Sequence, residues 1–546
     1  TTGGFADGSY IGFDTTNGSF AHAGAIVDPN SGTSQLGIKK YGGNTLTLSG
    51  TNTYTGATDI WAGTVSVGAD ENLGDANPVI FRGGTLQITG ATMNNFGTHT
   101  PTFVGGKTVG LDIADVDNIF VVDQVMNQTS GGLNKYGAGT LVLTNDNTYS
   151  GTTTVSAGTL RLAGSNSSTG QTQVNSGATL ELASDTNSGL ASGTLTLNGG
   201  TITPFDASRV VTNNVNVNSN STVAGSFDLE FSTGAFVNYN GNRTLTNNLD
   251  AGKTLTLSGQ VKLSNNNTAR TMTLSGTGET VISGDIVNGG TGAGNLTKSG
   301  TGTCTLSGTN VYTGNTTVNG GTLVVTGSIS SSAASVTGTG AIAGSGGVGA
   351  LSIASGAFLE WGYGDGGDHV LDVAAGGALT LTDGWKIRLI DLGTDPHANQ
   401  QYELLSYDPL AVIAIGTLGG VDADGALDWD VTGITISSSV EAGVGHVYIS
   451  GIGLTTLQGD TNGDGVVDAT DYIAVKTHIG QTASATLADG DFDSDGDVDW
   501  TDLQTLVTAM NGGAGAAGET IPEPATLFVL MAAGLPALLK RRRSRS

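Results

Sequence analysis

The residues best placed to do chemistry lie between 460 and 502. Asp460, Asn462, Asp464, Asp468 and Asp471 stand at positions 1, 3, 5, 9 and 12 of one twelve-residue segment. Asp491, Asp493, Asp495, Asp499 and Asp502 stand at the same positions of a second, 31 residues on, and position 6 is glycine in both (Gly465, Gly496). Ca²⁺ takes about six to eight hard oxygen ligands, and a loop turned sharply at a glycine converges its alternate side chains on one point. The backbone carbonyls of Val466 and Asp497, at position 7, complete the expected donor sets. Carboxylates at this density repel one another unless a cation sits among them. Two Ca²⁺ sites are therefore expected.

These loops need elements to hold them. A helix is predicted after each, over Asp471–Ile479 and Asp502–Met510, whereas Val447–Gly453 before the first loop reads as a strand and a glycine linker. The duplicated loop–helix half-hands, each closing on Asp, resemble a type I dockerin over 459–511. That resemblance implies a cohesin-like or other surface protein as partner, and frequent association with polysaccharide-degrading machinery. Partner choice in that family leans on positions 10 and 11, here Ala469-Thr470 and Trp500-Thr501, so the bulky Trp500 departs from the usual small hydroxyl pair.

The first two-thirds of the chain is repetitive. Lys40, Lys135 and Lys298 each precede a tyrosine by fourteen residues (Tyr54, Tyr149, Tyr312), and each tyrosine precedes a glycine by nine (Gly63, Gly158, Gly321). Between these landmarks run short apolar alternations: Leu46/Leu48, Leu141/Leu143, Leu160/Leu162 and Leu323/Val325, with degenerate copies at 177–182, 193–197 (Leu195/Leu197) and 252–257. Period-two alternation bounded by Gly and Asn reads as strands burying one face. Strands this short bury that face only by stacking coil on coil, as in a solenoid. The expected fold is mainly β: a right-handed parallel β-helix over 1–350, about 22 residues per coil and about 4.8 Å between stacked strands. Threonines should form outward ladders, and Cys304, standing where Leu46 and Leu141 stand, should be a buried small hydrophobe. The three full copies resemble the autotransporter-associated β-strand repeat of exported bacterial surface proteins, which implies a passenger-like β-helix at the cell surface.

The glycine–threonine pattern fades near 350. Strands expected at 378–381, 385–390, 402–405 and 445–449 suggest a C-terminal β cap or small sandwich over 351–455, since the last coil of a solenoid leaves unpaired strand edges. Asp365, Asp368 and His369 fall in a glycine-rich stretch there and read as a polar loop rather than a hydrolase site. A Gly/Ala linker spans 512–520. Pro522-Glu523-Pro524 then leads into an apolar run, Ala525 to Leu539, and a basic cluster, Lys540 to Arg545. This order resembles the PEP-CTERM sorting signal, with a hydrophobic C-terminal helix over 521–546. It implies processing by an exosortase-type enzyme near Pro522, Glu523 and Pro524, and a transient membrane anchor. The start at Thr1-Thr2 reads as a mature or trimmed form.

Composition narrows the functional classes. One cysteine excludes an intrachain disulfide framework. A net charge of −27 disfavours binding nucleic acid through a basic face. The 89 glycines follow no triplet period, which excludes collagen. The six histidines are scattered and the repeats are poor in paired carboxylates, so no catalytic residue is assigned. The expectation is a non-enzymatic, adhesin-like scaffold at the cell surface or outside the cell, bearing a Ca²⁺-ordered docking module, with extracellular polysaccharide as a further partner. The alternative is a secreted lyase or glycoside hydrolase built on a β-helix and carrying a dockerin.

Overall fold

The computed structural model describes the chain outside residues 1–4, 186–188, 365–370, 393–400, 411–412, 424–428, 431–433, 451–452, 455–458, 460, 462–468, 494 and 513–546. The expected polar loop at Asp365, Asp368 and His369, the sorting motif and the apolar tail lie outside the described residues. Among the described residues no helix is long and apolar enough to cross a membrane.

The repeats wind into a parallel β-solenoid of about 16 turns. Its first coils alternate between a five-stranded sheet, running from Ser9–Asp14 to Thr100–Phe103, and a thirteen-stranded sheet that starts at Phe20–His22. An eighteen-stranded sheet takes over one face from Ile119–Val122. From Arg209–Val211 to Ile286–Val287 each coil contributes to three sheets, and beyond that to two again. Parallel pairing continues past residue 350. Gly347–Ile353 pairs with Leu379–Leu381, and Phe358–Gly364 with Trp385–Leu392, which pairs with Leu418–Ala423. The loss of the glycine–threonine pattern at 350 is thus a change of sequence across which the sheets run on. A separate unit comprises Thr394–Gln401, Gly425–Thr435 and Ile449–Ser546.

Stacked apolar side chains fill the solenoid. Leu46 pairs in register with Val65, Val65 with Leu86, and Leu86 with Leu111. Phe120, Leu141, Leu160, Leu180 and Ile202 make a second stack. All nine are fully buried, and each contributes roughly 1.5–3 kcal/mol of hydrophobic stabilisation. The expected inward pairs are all buried. Outside, Thr140, Thr159, Thr179, Thr201 and Thr222 stand in one rung-by-rung ladder.

The repeat signature has a structural meaning that its spacing alone does not reveal. Each repeat lysine points inward. Lys40 sits in register between Phe13 and Ile60, Lys135 between Leu111 and Val155, and Lys298 between Leu274 and Val318. Each ammonium donates to three backbone carbonyls. Lys135 Nζ reaches Tyr136 O (2.7 Å), Gly137 O (2.9 Å) and, one coil on, Ala157 O (3.2 Å). Lys40 does the same with Tyr41, Gly42 and Ala62, and Lys298 with Ser299, Gly300 and Gly320. The corner glycine answers this lysine. Gly63, Gly158 and Gly321 have φ of +64°, +59° and +62°, and a Cβ at any of them would meet a carbonyl oxygen of the preceding coil at 2.4 Å. Asn52, Asn147 and Asn310 accept the buried N–H of Ile26, Met126 and Ile286, one coil back. Tyr54, Tyr149 and Tyr312 hydrogen-bond, through their hydroxyls, to Thr58, Thr153 and Thr316 at 2.5–2.6 Å.

Cys304 is fully buried, in register between Thr280 and Leu323. Burial pushes its thiol up to about 12, so almost no thiolate exists at neutral pH. The native protein should therefore be inert to a thiol-reactive dye at pH 8 and release one equivalent of thiol on denaturation; rapid native labelling would contradict this burial.

Candidate metal centre

The metal-binding candidates lie in the second unit. Here helix α1 (Ala469–His478) and helix α2 (Trp500–Gly512) follow the two loops. Val475, Val498, Leu503 and Leu506 form a small buried core, with Tyr472, Ala485 and Phe492 packed against it. That core fixes the first turns of the helices, and with them Asp471 and Asp502.

Asp502 is 1% exposed. Its Oδ1 accepts Phe492 N–H (2.7 Å) and its Oδ2 accepts Asp499 N–H (2.8 Å), tying both ends of the loop to the helix. Asp471 repeats the geometry: its Oδ1 accepts from Thr461 N (2.7 Å) and Thr461 Oγ1 (2.8 Å). Thr461 and Phe492 both hold position 2 of their loops, so the duplication read in the sequence is present in the hydrogen bonding. The other expected donors of the first loop, Asp460, Asn462, Asp464, Val466 and Asp468, lie outside the described residues.

The second loop is described almost whole. Carboxylate oxygens of Asp491, Asp493 and Asp502 lie within 4.8 Å of one another, and so do those of Asp497, Asp499 and Asp502. Asp495 N–H donates to Asp493 (3.3 Å), Asp497 N–H to Asp495 (3.0 Å) and Gly496 N–H to Asp491 Oδ2 (3.0 Å). Gly496 turns the chain at φ +90°. Asp499 Oδ1 accepts Thr501 N–H at 2.6 Å. Desolvation, and then the neighbouring carboxylates, raise the pKa of both Asp493 and Asp497 above the ordinary carboxylate value.

Two details make this donor set fit a hard cation. Asp491 Oδ1 and Asp497 Oδ1 are buried, and among the described residues no protein donor reaches either. A buried carboxylate oxygen with no donor is costly unless a cation neutralises it. The set is also all oxygen, as Ca²⁺ prefers. Asp491, Asp493, Asp499 and Asp502 are gathered in two carboxylate groups that share Asp502 and would hold the ion; the expected donor Asp495 stands in neither group. Asp497 was expected to offer only its carbonyl, yet its side chain joins the carboxylate group. An acidic residue at position 7 was the available signal. His478, by contrast, bonds through Nδ1 to Ala474 O (2.9 Å), and its Nε2 faces Asp489 at 3.4 Å, away from the cluster's carboxylates.

Two family profiles match parts of the chain. A passenger-associated-transport-repeat profile matches residues 38–67, 133–162, 157–182 and 296–325. A dockerin type I domain profile matches residues 458–511. The Adhesin BmaC autotransporter of Brucella suis biovar 1 (strain 1330) is 34% identical over 144 residues, covering 24% of this chain and 4% of that protein. The chain thus spans a small part of that relative's length. Geometry and comparison agree on two modules: a β-solenoid bearing passenger-associated-transport repeats, and a type I dockerin domain, which implies calcium binding.

Proposed function

We propose that the chain is an exported, adhesin-like surface scaffold that docks another protein through a module ordered by two Ca²⁺ ions. The observation that carries this reading is the pairing of a repeat solenoid with a duplicated Asp-closed loop–helix unit, in whose second loop two buried carboxylate oxygens have no donor among the described residues. The solenoid displays; residues 459–511 attach. The docking partner is a cohesin-like module. The Pro522-Glu523-Pro524 tail directs the protein to the cell surface, where an exosortase-type enzyme processes it.

Surface plasmon resonance on an immobilised type I cohesin module tests the docking step. Binding is expected in millimolar Ca²⁺ and should vanish in chelator, and Asp502→Asn should weaken it at least about tenfold. Binding that ignores chelator, or no binding to any cohesin presented, would sink the reading. Mass spectrometry of the surface-released protein tests the tail: loss of the segment after Pro524 is expected, and an intact C-terminus rules out processing.

A further inference from the structure

Exposed aromatic side chains are unevenly spread over this molecule. Among the described residues six large aromatics are exposed, and five of them (Phe5, Tyr10, Phe20, Tyr41 and Trp61) belong to the first coils. Tyr10 and Tyr41 lie on the outer face of the five-stranded sheet and Trp61 directly follows its third strand, at 40%, 38% and 42% exposure.

The Tyr10 ring lies down on the sheet because a glycine stands beneath it. A Cβ on Gly37 would fall 2.5 Å from Tyr10 Cε1, so that ring lies across the neighbouring coil at the one residue type that leaves room. Tyr41 passes Gly12 at ordinary contact distance, with Cε2 3.8 Å from the point a Cβ there would occupy. Tyr41 and Trp61, on adjacent coils, have centroids 5.9 Å apart at 35°. Asp59, almost fully buried beneath them, fixes the group. It accepts Trp61 Nε1–H at 3.0 Å and Arg82 Nε–H at 2.9 Å, which places the guanidinium 5.0 Å from the Trp61 ring. Lys39 stands 4.1 Å over Tyr10. Tyr41 and Trp61 thus form an exposed aromatic pair, and the neighbouring cations are already engaged, Arg82 by the Asp59 carboxylate and Lys39 by the Tyr10 ring.

We infer that the paired Tyr41 and Trp61 rings of the first coils bind a neutral polysaccharide chain. This deepens the surface-scaffold reading and rests on it. The chemistry selects that ligand. The two adjacent rings present an apolar, polarisable surface beside polar groups, which suits a sugar ring with one C–H face and a rim of hydroxyls. An anionic polymer would have to take Arg82 from Asp59 and approach a chain of net charge −27. Being preorganised, the platform loses little side-chain entropy on binding. The burial of Asp59 under Trp61 and Arg82 keeps the rings in place before any ligand arrives.

Affinity electrophoresis of the full chain in native gels tests this, with xyloglucan, mixed-linkage β-glucan or galactomannan in the gel and polygalacturonate as the anionic arm. Retardation by at least one neutral glycan is expected. It should weaken at least about tenfold in Trp61→Ala and in Tyr41→Ala. Tyr41→Ala leaves the Asp59 pairings untouched, so it reports on the platform even if Trp61→Ala perturbs the coil. Retardation should persist in chelator, since the Ca²⁺ loops belong to another unit; failure of cohesin docking would leave this readout unchanged. Three results would overturn the proposal: retardation by no neutral glycan, equal retardation of wild type and both variants, or retardation by polygalacturonate alone.

Discussion

Removing calcium should collapse the 459–511 module and leave the solenoid standing. Chelator added to the full chain is expected to abolish most of the helical circular dichroism of α1 and α2, and to expose their amides to rapid hydrogen exchange. The amides of the repeat coils should stay protected. The size of the effect follows from how little else holds the module. Among the described residues its buried core is four apolar side chains with three partly buried neighbours, short of what a unit of some fifty residues needs to offset its chain entropy. Eleven aspartates stand against one lysine between 459 and 502. Without cations their mutual repulsion opposes the compact state. Bound Ca²⁺ reverses both terms, and at a hundredfold excess over Kd each ion adds about 2.7 kcal/mol to the folded state. Protected α2 amides in chelator would show that the apolar core suffices.

The second large effect belongs to the buried lysines. Lys135→Ala is expected to destabilise the coils around residues 133–157 by about 2–4 kcal/mol, read by hydrogen exchange at their amides. The substitution strands three corner carbonyls on two coils and opens a void between Leu111 and Val155. In a solenoid the damage stays with nearest neighbours, so distant coils should be unaffected. The pH dependence has a definite sign. Burial pushes the Lys135 amine down to about 8, whereas in the unfolded chain it titrates near its model value of 10.5. Between about pH 8 and 10.5 the unfolded chain holds the proton that the folded chain has released, so this group makes local stability rise with pH across that window. Lys135→Ala should remove that rise. An exchange pattern the same as wild type would mean that the carbonyls find other donors.

What the sequence revealed, and what it hid, divides along physical lines. Leu46, Leu141 and Leu160 were readable as inward residues because a strand's two-residue period repeats locally. The dockerin-like match at 458–511 was readable because its spaced aspartates fall within twelve-residue loops and the glycine at position 6 is local too. Lys135 was visible as a landmark, but its role was not: a lone lysine ordinarily stays in water, and the carbonyl of Ala157 that holds it comes from the next coil. The parallel ladders past residue 350 were hidden for a related reason. Leu359 pairs with Ile387, 28 residues on, and no repeat marks the register. Nor could the Tyr41–Trp61 platform be read from spacing, because Asp59, Arg82 and Gly12 come together only across coils.

The two Asp-closed loops are each expected to hold one Ca²⁺. Isothermal titration of Ca²⁺ into the demetallated full chain tests this most directly, with Asp471→Asn and Asp502→Asn alongside. Two ions per wild-type chain are expected, and each variant should lose the site whose closing carboxylate it has lost. A wild-type stoichiometry below two, or full binding retained in Asp502→Asn, would contradict the account.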